Sequence, residues 1–208
     1  MYIPEYFRVS DRATSRAFMR ANPFAILISA TDDGPFATHV PVAIRETGEQ
    51  IIIRGHVAKA NPHWRYLERV PRCLMIFHGP HSYVSASNYP ARENVPTWNY
   101  AAVHACGDAR VFFAPEQLQE VLHELICGFE PAYTQQWDGL GDAYRDGMLR
   151  QIVGFEIAVT SLETKFKLSQ NRTAEEQENV ISSLGRSSDS AVSGVARLMR
   201  DQGLGEKK

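Results

Sequence analysis

The chain has 208 residues, of which 44% are hydrophobic and 22% charged, and its formal net charge is −2. This length fits one domain, or one domain with an appendage, and the charge argues against a basic nucleic-acid-binding surface. The three cysteines are widely spaced and form no CxxC pair, which favours a reducing compartment over a disulfide framework. The sequence opens without a signal-peptide pattern, and no apolar run approaches the ~20 residues of a membrane span. We therefore expect a soluble, cytoplasmic protein.

The first part of the chain predicts an antiparallel meander. A helix over residues 11–21 is capped by Ser10 and stopped by Asn22-Pro23. Three strands follow, joined by tight turns that favour antiparallel pairing. The strands are predicted over residues 24–30, 36–44 and 50–54, and a short helix over 63–69.

The second part adds further strands and a clear amphipathic helix. That helix starts at Pro115, carries apolar residues at helical spacing from Leu118 to Ile126, and ends at Gly128. Strands are predicted over residues 72–78, 82–85, 97–113 and 152–160, and further helices over 142–150, 174–183 and 189–201. Six or more antiparallel strands with helices at the edges predict an α+β barrel or sandwich.

The segment after residue 172 differs in composition from the rest, because aromatic residues stop after Phe166 and serine, glutamate and glycine increase. We expect residues 173–208 to form a helical extension that packs on the main domain and ends in a disordered tail. Its two helices are the only candidate for a DNA-reading pair. Arg186, Arg197 and Arg200 are too few to favour that interpretation.

The stretch from Gly55 to Trp64 is the strongest local candidate for a binding site. It connects a predicted strand to a helix that Asn61 can cap, so free backbone N–H groups and a positive dipole end are expected there. With His56 and Lys59 added, the stretch is a plausible phosphate cradle. Taken alone, it fits an ordinary strand-to-helix connection with a solvated lysine better.

Other catalytic and metal motifs are absent from the sequence. His78 and His81 flank Gly79-Pro80, and no HExxH or zinc-type Cys/His spacing occurs, so we expect no metal site. No GxSxG elbow, GxGxxG fingerprint or P-loop is present. No catalytic residue is assigned, and an axial haem histidine stays open.

Polar and aromatic residues are unusually frequent in three segments of the β-rich part, residues 38–41, residues 95–100, and residues 165–172 after the last predicted strand. Each segment alone is explicable as core, interface or solvated edge. Together they supply flat aromatic surface, amides and cations. This combination suits a planar heterocycle that carries a phosphate.

Five motifs, in this order along the chain, resemble those of the PaiB family, described as FMN-binding negative transcriptional regulators. They cover essentially the whole chain. The motifs are Met1-Tyr-Ile-Pro-x-x-Phe7, Gly55-His-x-Ala-x-Ala-Asn-Pro-x-Trp64, Phe77-x-Gly-Pro-x-x-Tyr83, Val95-Pro-Thr-Trp-Asn-Tyr100 with Val103-His104, and Lys167-Leu-Ser-Gln-Asn-Arg172.

The resemblance implies an α+β fold of the antiparallel split β-barrel type, like that of pyridoxamine-phosphate oxidases, over residues 1–172. It also implies a homodimer with two FMN sites at the interface. By this analogy the FMN phosphate is held by Gly55, His56, Val57, Ala58, Lys59 and the helix that starts near Asn61. The isoalloxazine ring lies along Thr38, His39, Val40 and Pro41. The contacts expected from the partner subunit are Thr97, Trp98, Asn99, Tyr100, Lys167, Ser169, Gln170 and Asn171.

Two departures from the oxidase pattern concern this site. Pyridoxamine-phosphate oxidases surround the phosphate with several arginines and lysines, whereas this loop has Lys59, with Arg54 and His56 near. The segment Tyr83–Tyr89 lacks the proline and tryptophan expected to roof the cofactor.

Three functions remain open at this point. The first is an FMN-binding regulator, for which DNA binding rests on the family analogy alone. The second is a flavin-dependent oxidoreductase that acts on a small substrate. His39, His56 and His104 are candidate general acids only because of their positions in the sequence. The third is a haem-binding protein on the same barrel.

Overall fold

The computed structural model describes residues 1–206 and contains six strands and seven α-helices within that range. The strands are β1 (Phe24–Thr31), β2 (Gly34–Thr47), β3 (Gln50–Ala58), β4 (Arg72–Val84), β5 (Thr97–Phe112) and β6 (Ile152–Lys167). The helices are α1 (Arg12–Ala21), α2 (His63–Arg69), α3 (Pro115–Phe129), α4 (Thr134–Asp138), α5 (Asp142–Leu149), α6 (Ala174–Gly185) and α7 (Ser190–Asp201). Short 3₁₀ turns occur at residues 5–7, 86–88 and 131–133.

The strands form one sheet in the order β1-β2-β3-β6-β5-β4, which closes into a barrel. The pairs β1–β2, β1–β4, β2–β3 and β3–β6 are antiparallel. Side chains alternate between the two faces of each strand, as in β3, where Ile51, Ile53 and Val57 are buried. The predicted α+β barrel class is therefore confirmed.

Strand β3 is longer than the sequence predicted. Residues Gly55–Ala58 were expected in a loop, but they continue the strand and pair with β6 as far as Ala58 opposite Ile152. Glycine is needed at position 55 because a Cβ there would lie 2.8 Å from the ring of Phe155. The connection to α2 is consequently only Lys59–Pro62.

Two other strand predictions were wrong in extent. Strand β4 runs without interruption through Gly79-Pro80, although two strands were predicted. The fixed φ of proline is compatible with extended backbone, so Pro80 removes a donor without ending the strand. Strand β6 continues to Lys167, which places Lys165 and Lys167 in the strand rather than after it.

The chain divides into two compact units. Among the described residues, unit 1 comprises 1–15, 78–103 and 163–206, and unit 2 comprises 16–77 and 104–162. The two C-terminal helices, α6 and α7, belong to unit 1. The predicted domain boundary at residue 172 stays a prediction. Lys207 and Lys208, at the end of the tail predicted to be disordered, lie outside the described residues.

Each unit has its own apolar core. In unit 2 the fully buried side chains include Leu27, Ile53, Met75, Phe77, Phe155 and Ile157. Helix α3 contributes Leu118, Val121 and Leu125 to a cluster with Phe112 and Leu149. In unit 1 they include Val84, Phe166, Leu168, Val180, Val195 and Met199. Burial of one such side chain contributes about 1.5–3 kcal/mol to the free energy of folding, so these cores stabilise the framework that carries the candidate site.

Candidate functional site

The connection between β3 and α2 is held largely by its own backbone hydrogen bonds. The N–H of Lys59 donates to the carbonyl of Gln151 at 2.7 Å, and the N–H of Asn61 donates to the carbonyl of Ala58 at 2.9 Å. The N–H of His63 donates to Oδ1 of Asn61 at 3.0 Å, so Asn61 does stabilise the helix start. These N–H groups are therefore occupied. We therefore expect a phosphate bound here to be held by side chains rather than by the backbone N–H groups that the sequence predicted to be free.

Side chains in and beside this connection do offer free polar groups. Lys59 is exposed and forms no ion pair within residues 1–206. Arg65 stacks over the ring of Trp64, with Cζ 4.7 Å from the ring centroid, and the Trp64 indole N–H donates to the carbonyl of Lys59 at 3.0 Å. His56 has a buried Nδ1 without a partner among the described residues, and burial lowers its pKa. A free cation and an unpaired buried ring nitrogen fit a phosphate-bearing cofactor.

Arg54, expected near the phosphate, is occupied by carboxylates instead. Its Nη1 donates to Oε1 of Glu124 at 2.6 Å and its Nη2 donates to Oε2 of Glu120 at 3.3 Å. Its Nε lies 3.7 Å from Oε2 of Glu156, and the side chain is 4% exposed. Arg54 is therefore a structural residue of the β3–α3 contact in unit 2.

Residues Thr38–Pro41 lie in the middle of β2, beside β1. Thr38 Oγ1 accepts a hydrogen bond from Nδ2 of Asn61 at 3.2 Å, which brings these two predicted site residues together. His39 is exposed and its ring centroid lies 6.1 Å from that of Phe24. Val40 is buried, so only the main chain of this residue is available to a ligand.

Phe24 and His63 are neighbours of this segment that were not predicted from the sequence. Phe24 starts β1 opposite Pro41 and is 64% exposed, an unusual exposure for a phenylalanine. His63 is fully buried and its Nδ1 lies 2.8 Å from Oγ1 of Thr38. The β1–β2 hairpin was predictable, so the position of Phe24 could have been found by counting its register.

The remaining predicted site residues lie in unit 1, and several have internal partners. Asn99 is fully buried and its Nδ2 donates to Oγ of Ser169 at 2.9 Å. Ser169 has a φ of +65°, which turns the chain sharply after β6. Gln170 accepts from the N–H of Leu168 at 2.7 Å and donates to the carbonyl of Phe166 at 2.5 Å. The side chains of Asn99, Ser169 and Gln170 therefore stabilise this turn, whereas Asn171 is exposed.

Lys167 and Trp98 form a second contact between predicted site residues in unit 1, after that of Asn99 with Ser169. Lys167 Nζ donates to the carbonyl of Trp98 at 2.5 Å and to Oγ1 of Thr97. Burial and the neighbouring Lys165 lower the pKa of Lys167. Tyr100 lies beside Lys165, whose Nζ is 5.3 Å from the ring centroid.

An exposed aromatic surface surrounds Trp98, which is itself 53% exposed. The ring of His81 stacks on Trp98 at 6.1 Å between centroids, and the exposed ring of Tyr83 meets Trp98 edge-on at 6.3 Å. Such a surface suits a planar ligand or a protein partner. Tyr83 opens the segment in which the sequence lacks the expected roof residues.

Residues 1–206 contain no group of three or more histidine, cysteine, aspartate or glutamate side chains that could hold a metal ion. No helix in that part of the chain is long and apolar enough to cross a membrane.

The barrel has the split-barrel fold that solved flavoproteins share. It is similar to the FAD- and haem-binding protein from Mycobacterium smegmatis, with a TM-score of 0.61 and 15% identity over 82% of this chain and 78% of that one. It is also similar to the flavocytochrome Anf3 from Azotobacter vinelandii, with a TM-score of 0.60 and 18% identity over 83% of this chain and 73% of that one. At these identities the likeness establishes the fold.

The sequence narrows the class further. Residues 1–161 match the family model described as "Putative FMN-binding domain". Over 204 residues the chain is 37% identical to the "Protease synthase and sporulation protein PAI 2" of Bacillus subtilis (strain 168), covering 97% of this chain and 98% of that protein. The chain belongs to the PaiB family of FMN-binding proteins, and FMN is its cofactor. When bound, FMN supplies hydride and electron chemistry, and the protein supplies binding and orientation.

Proposed function

We propose that this protein is an FMN-binding regulator that lowers the expression of target genes, acting as a cytoplasmic homodimer. The observation that carries the proposal is the full-length similarity to a protein whose name refers to protease synthesis and sporulation. The three free cysteines, none in a disulfide, support a reducing compartment.

We further propose that FMN uses the residue groups found in the two units, contributed by different subunits. Lys59 and His56 of one subunit contact the phosphate, and Thr38–Pro41 follow the isoalloxazine ring. Trp98 comes from the partner subunit together with Thr97, Tyr100, Lys167 and Asn171, whereas Asn99, Ser169 and Gln170 stabilise the turn after β6. The exposed rings of Trp98 and Tyr83 support this assignment, because large exposed aromatic side chains mark interaction surfaces.

Direct reading of DNA is not part of the proposal. The candidate helix pair, α6 and α7, carries few basic residues, and Arg200 is paired with Glu178 at 2.9 Å. Val195, Ala196 and Met199 of α7 are buried. We assign the control to the flavin-bound protein and expect its contact with the transcription machinery to be indirect.

The regulatory proposal is tested by transcript profiling in a strain that lacks the gene. We expect a set of transcripts to rise, to return with the wild-type gene, and to stay raised with a Lys59→Ala gene, because this substitution is expected to weaken FMN binding. An Arg69→Ala gene is the matched control and should restore repression, since Arg69 is exposed at the end of α2 and pairs with the exposed Asp32. Unchanged transcripts in the deletion strain would refute the regulatory role. Salt-dependent binding of the purified protein to an affected promoter would show direct DNA contact instead.

The shared site is tested by mixing two variants, Thr38→Val and Trp98→Ala, each of which is expected to lose FMN binding. If each site uses one group from each subunit, a mixed dimer has one intact site and one doubly damaged site. Equal mixing with subunit exchange should then restore FMN binding at about a quarter of all sites. No restoration, with exchange shown by tagged subunits, would contradict the shared site.

A further inference from the structure

His63 links three separate parts of unit 2. Its Nδ1 lies 2.8 Å from Oγ1 of Thr38 in β2, and its Nε2 lies 3.0 Å from Oγ of Ser29 in β1. Its main-chain N–H donates to Oδ1 of Asn61 in the connection before α2. The side chain is fully buried, so these bonds are shielded from water.

The bonds fix the side chains of Thr38 and Asn61 relative to each other. Asn61 donates from Nδ2 to Oγ1 of Thr38 and accepts the His63 N–H at Oδ1, so both ends of its amide are held. A threonine hydroxyl has one proton and two acceptor positions, and here it meets both Asn61 and the His63 ring. Without the ring contact, only the bond from Asn61 would orient the Thr38 hydroxyl.

We propose that His63 is the positioning residue of the FMN site, through its contact with Thr38 and Asn61. This inference rests on the proposed function, in which Thr38 lies along the isoalloxazine ring and Asn61 belongs to the phosphate connection. Holding the two side chains at a fixed separation pre-organises them for one ligand, which strengthens binding without a direct contact from His63.

The surroundings of His63 favour the neutral imidazole that this role requires. The groups that face it are the hydroxyls of Ser29 and Thr38 and the rings of Phe36 and Tyr66, at 5.1 and 6.4 Å between centroids. Burial lowers the pKa of His63 to about 4. A neutral ring has one donor and one acceptor nitrogen, which matches one hydroxyl on each side.

Two substitutions separate the two ring contacts. The amide of asparagine reaches the position of Nδ1, and the amide of glutamine reaches the position of Nε2. His63→Asn should keep the Thr38 contact and lose Ser29, and His63→Gln should do the reverse. We expect His63→Gln to weaken FMN binding about tenfold, and His63→Asn to stay within about twofold of wild type.

The measurements are the FMN dissociation constant, from quenching of flavin fluorescence, and the unfolding midpoint of the FMN-free protein. Ser29→Ala is the matched control, because it removes the far contact and is expected to lower the midpoint without changing FMN affinity. If His63→Asn and His63→Gln weaken FMN binding equally, or if neither does, the positioning role is wrong.

Failure of the FMN site itself gives a different result. If Thr38→Val and Asn61→Ala leave FMN affinity unchanged, the proposed site is wrong. If they weaken binding and His63→Gln does not, only the role of His63 is wrong.

If His63→Gln does not fold, the wild-type protein provides the test. Long-range ¹H–¹⁵N spectra report the two ring nitrogens of His63 separately. Addition of FMN should shift the Nδ1 signal more than the Nε2 signal, and two unmoved signals would refute the proposal.

Discussion

Arg54 donates from Nη1 to Oε1 of Glu124 across 2.6 Å, and Glu124 also accepts from Arg45. Position 124 lies on α3 and position 54 on β3, so the pair joins helix to strand inside unit 2. A cation this deeply buried and already paired is not available to a cofactor phosphate.

Arg54→Met should therefore lower the free energy of unfolding and leave FMN affinity unchanged. The substitution removes charge-assisted hydrogen bonds at a buried position, at a cost of about 2 kcal/mol, because Glu124 keeps Arg45 and Glu156 keeps Arg110 as partners. Arg110→Met is the control, because Arg110 pairs with Glu156 at 3.0 Å but is 54% exposed, and its loss should cost less than about 1 kcal/mol. Chemical denaturation of both variants measures the difference. A large loss of FMN affinity in Arg54→Met would show that Arg54 belongs to the FMN site.

Lys59→Ala should weaken FMN binding and leave the stability nearly unchanged, which is the opposite of the result expected for Arg54→Met. Lys59 is exposed and without an ion pair in residues 1–206, so its removal is expected to change stability by less than about 0.5 kcal/mol. Loss of a charge-assisted contact to phosphate should weaken FMN binding about tenfold, a difference of about 1.4 kcal/mol. Titration with FMN and with riboflavin locates the effect, because riboflavin lacks the phosphate and should bind both proteins equally. An equal loss of riboflavin affinity would show that Lys59 contacts the isoalloxazine ring rather than the phosphate.

The stability of the protein should fall as the pH decreases from about 6.5 to about 4, partly because of His63. The pKa of His63 falls from 6.5 to about 4 on burial, so the unfolded state binds the extra proton in this interval and the folded state does not. This difference amounts to about 3 kcal/mol, present in full above pH 6.5 and lost as the pH falls towards 4. His56 and His78 also have lowered pKa values and act in the same direction.

His63→Asn isolates the contribution of His63, since asparagine does not titrate. Denaturation at pH 7 and pH 4.5 should show a smaller pH dependence for this variant than for wild type. Equal pH dependence in the two proteins would assign the effect to other groups.

Local sequence signals predicted most of the elements correctly, and the errors come from contacts distant in the chain. Helix α2 has the predicted bounds, His63–Arg69, and Asn61 accepts the His63 N–H, although Pro62 occupies the cap position. The end of β3 was missed because glycine and histidine at positions 55 and 56 are typical of a loop. They are in a strand because β6, about 100 residues later, pairs with them.

In the candidate site, too, contacts between residues distant in the chain could not be predicted. Thr38 and Lys59 were identifiable by residue type and motif. The pairing of Arg54 with Glu124, 70 residues away, and the burial of His63 depend on how α2 and α3 pack in unit 2. No local pattern contains that information.

The three cysteines should react at very different rates. Cys73 is buried, and its pKa is raised to about 12 by burial and by the nearby Asp108 and Cys106. Cys127 is exposed near the end of α3, and Cys106 is half-buried. A thiol reagent such as 5,5′-dithiobis(2-nitrobenzoate) should modify Cys127 first and Cys73 only after unfolding. Cys127→Ser should abolish the fast phase, and a fast phase that persists in this variant would show that another thiol is open.

Asn99→Ala should reduce stability rather than FMN affinity, although the family resemblance predicts Asn99 as a cofactor contact. Its amide and the hydroxyl of Ser169 bond to each other at 2.9 Å in a fully buried position, so the substitution leaves a buried hydroxyl without a partner, at about 2 kcal/mol. The double variant Asn99→Ala/Ser169→Ala should cost little more than the single one, because both ends of one interaction are then removed. Asn171→Ala, at an exposed position of the same turn, is the control and should change stability by less than about 0.5 kcal/mol. Unchanged stability of the FMN-free Asn99→Ala protein, with weaker FMN binding, would show that Asn99 serves the cofactor instead.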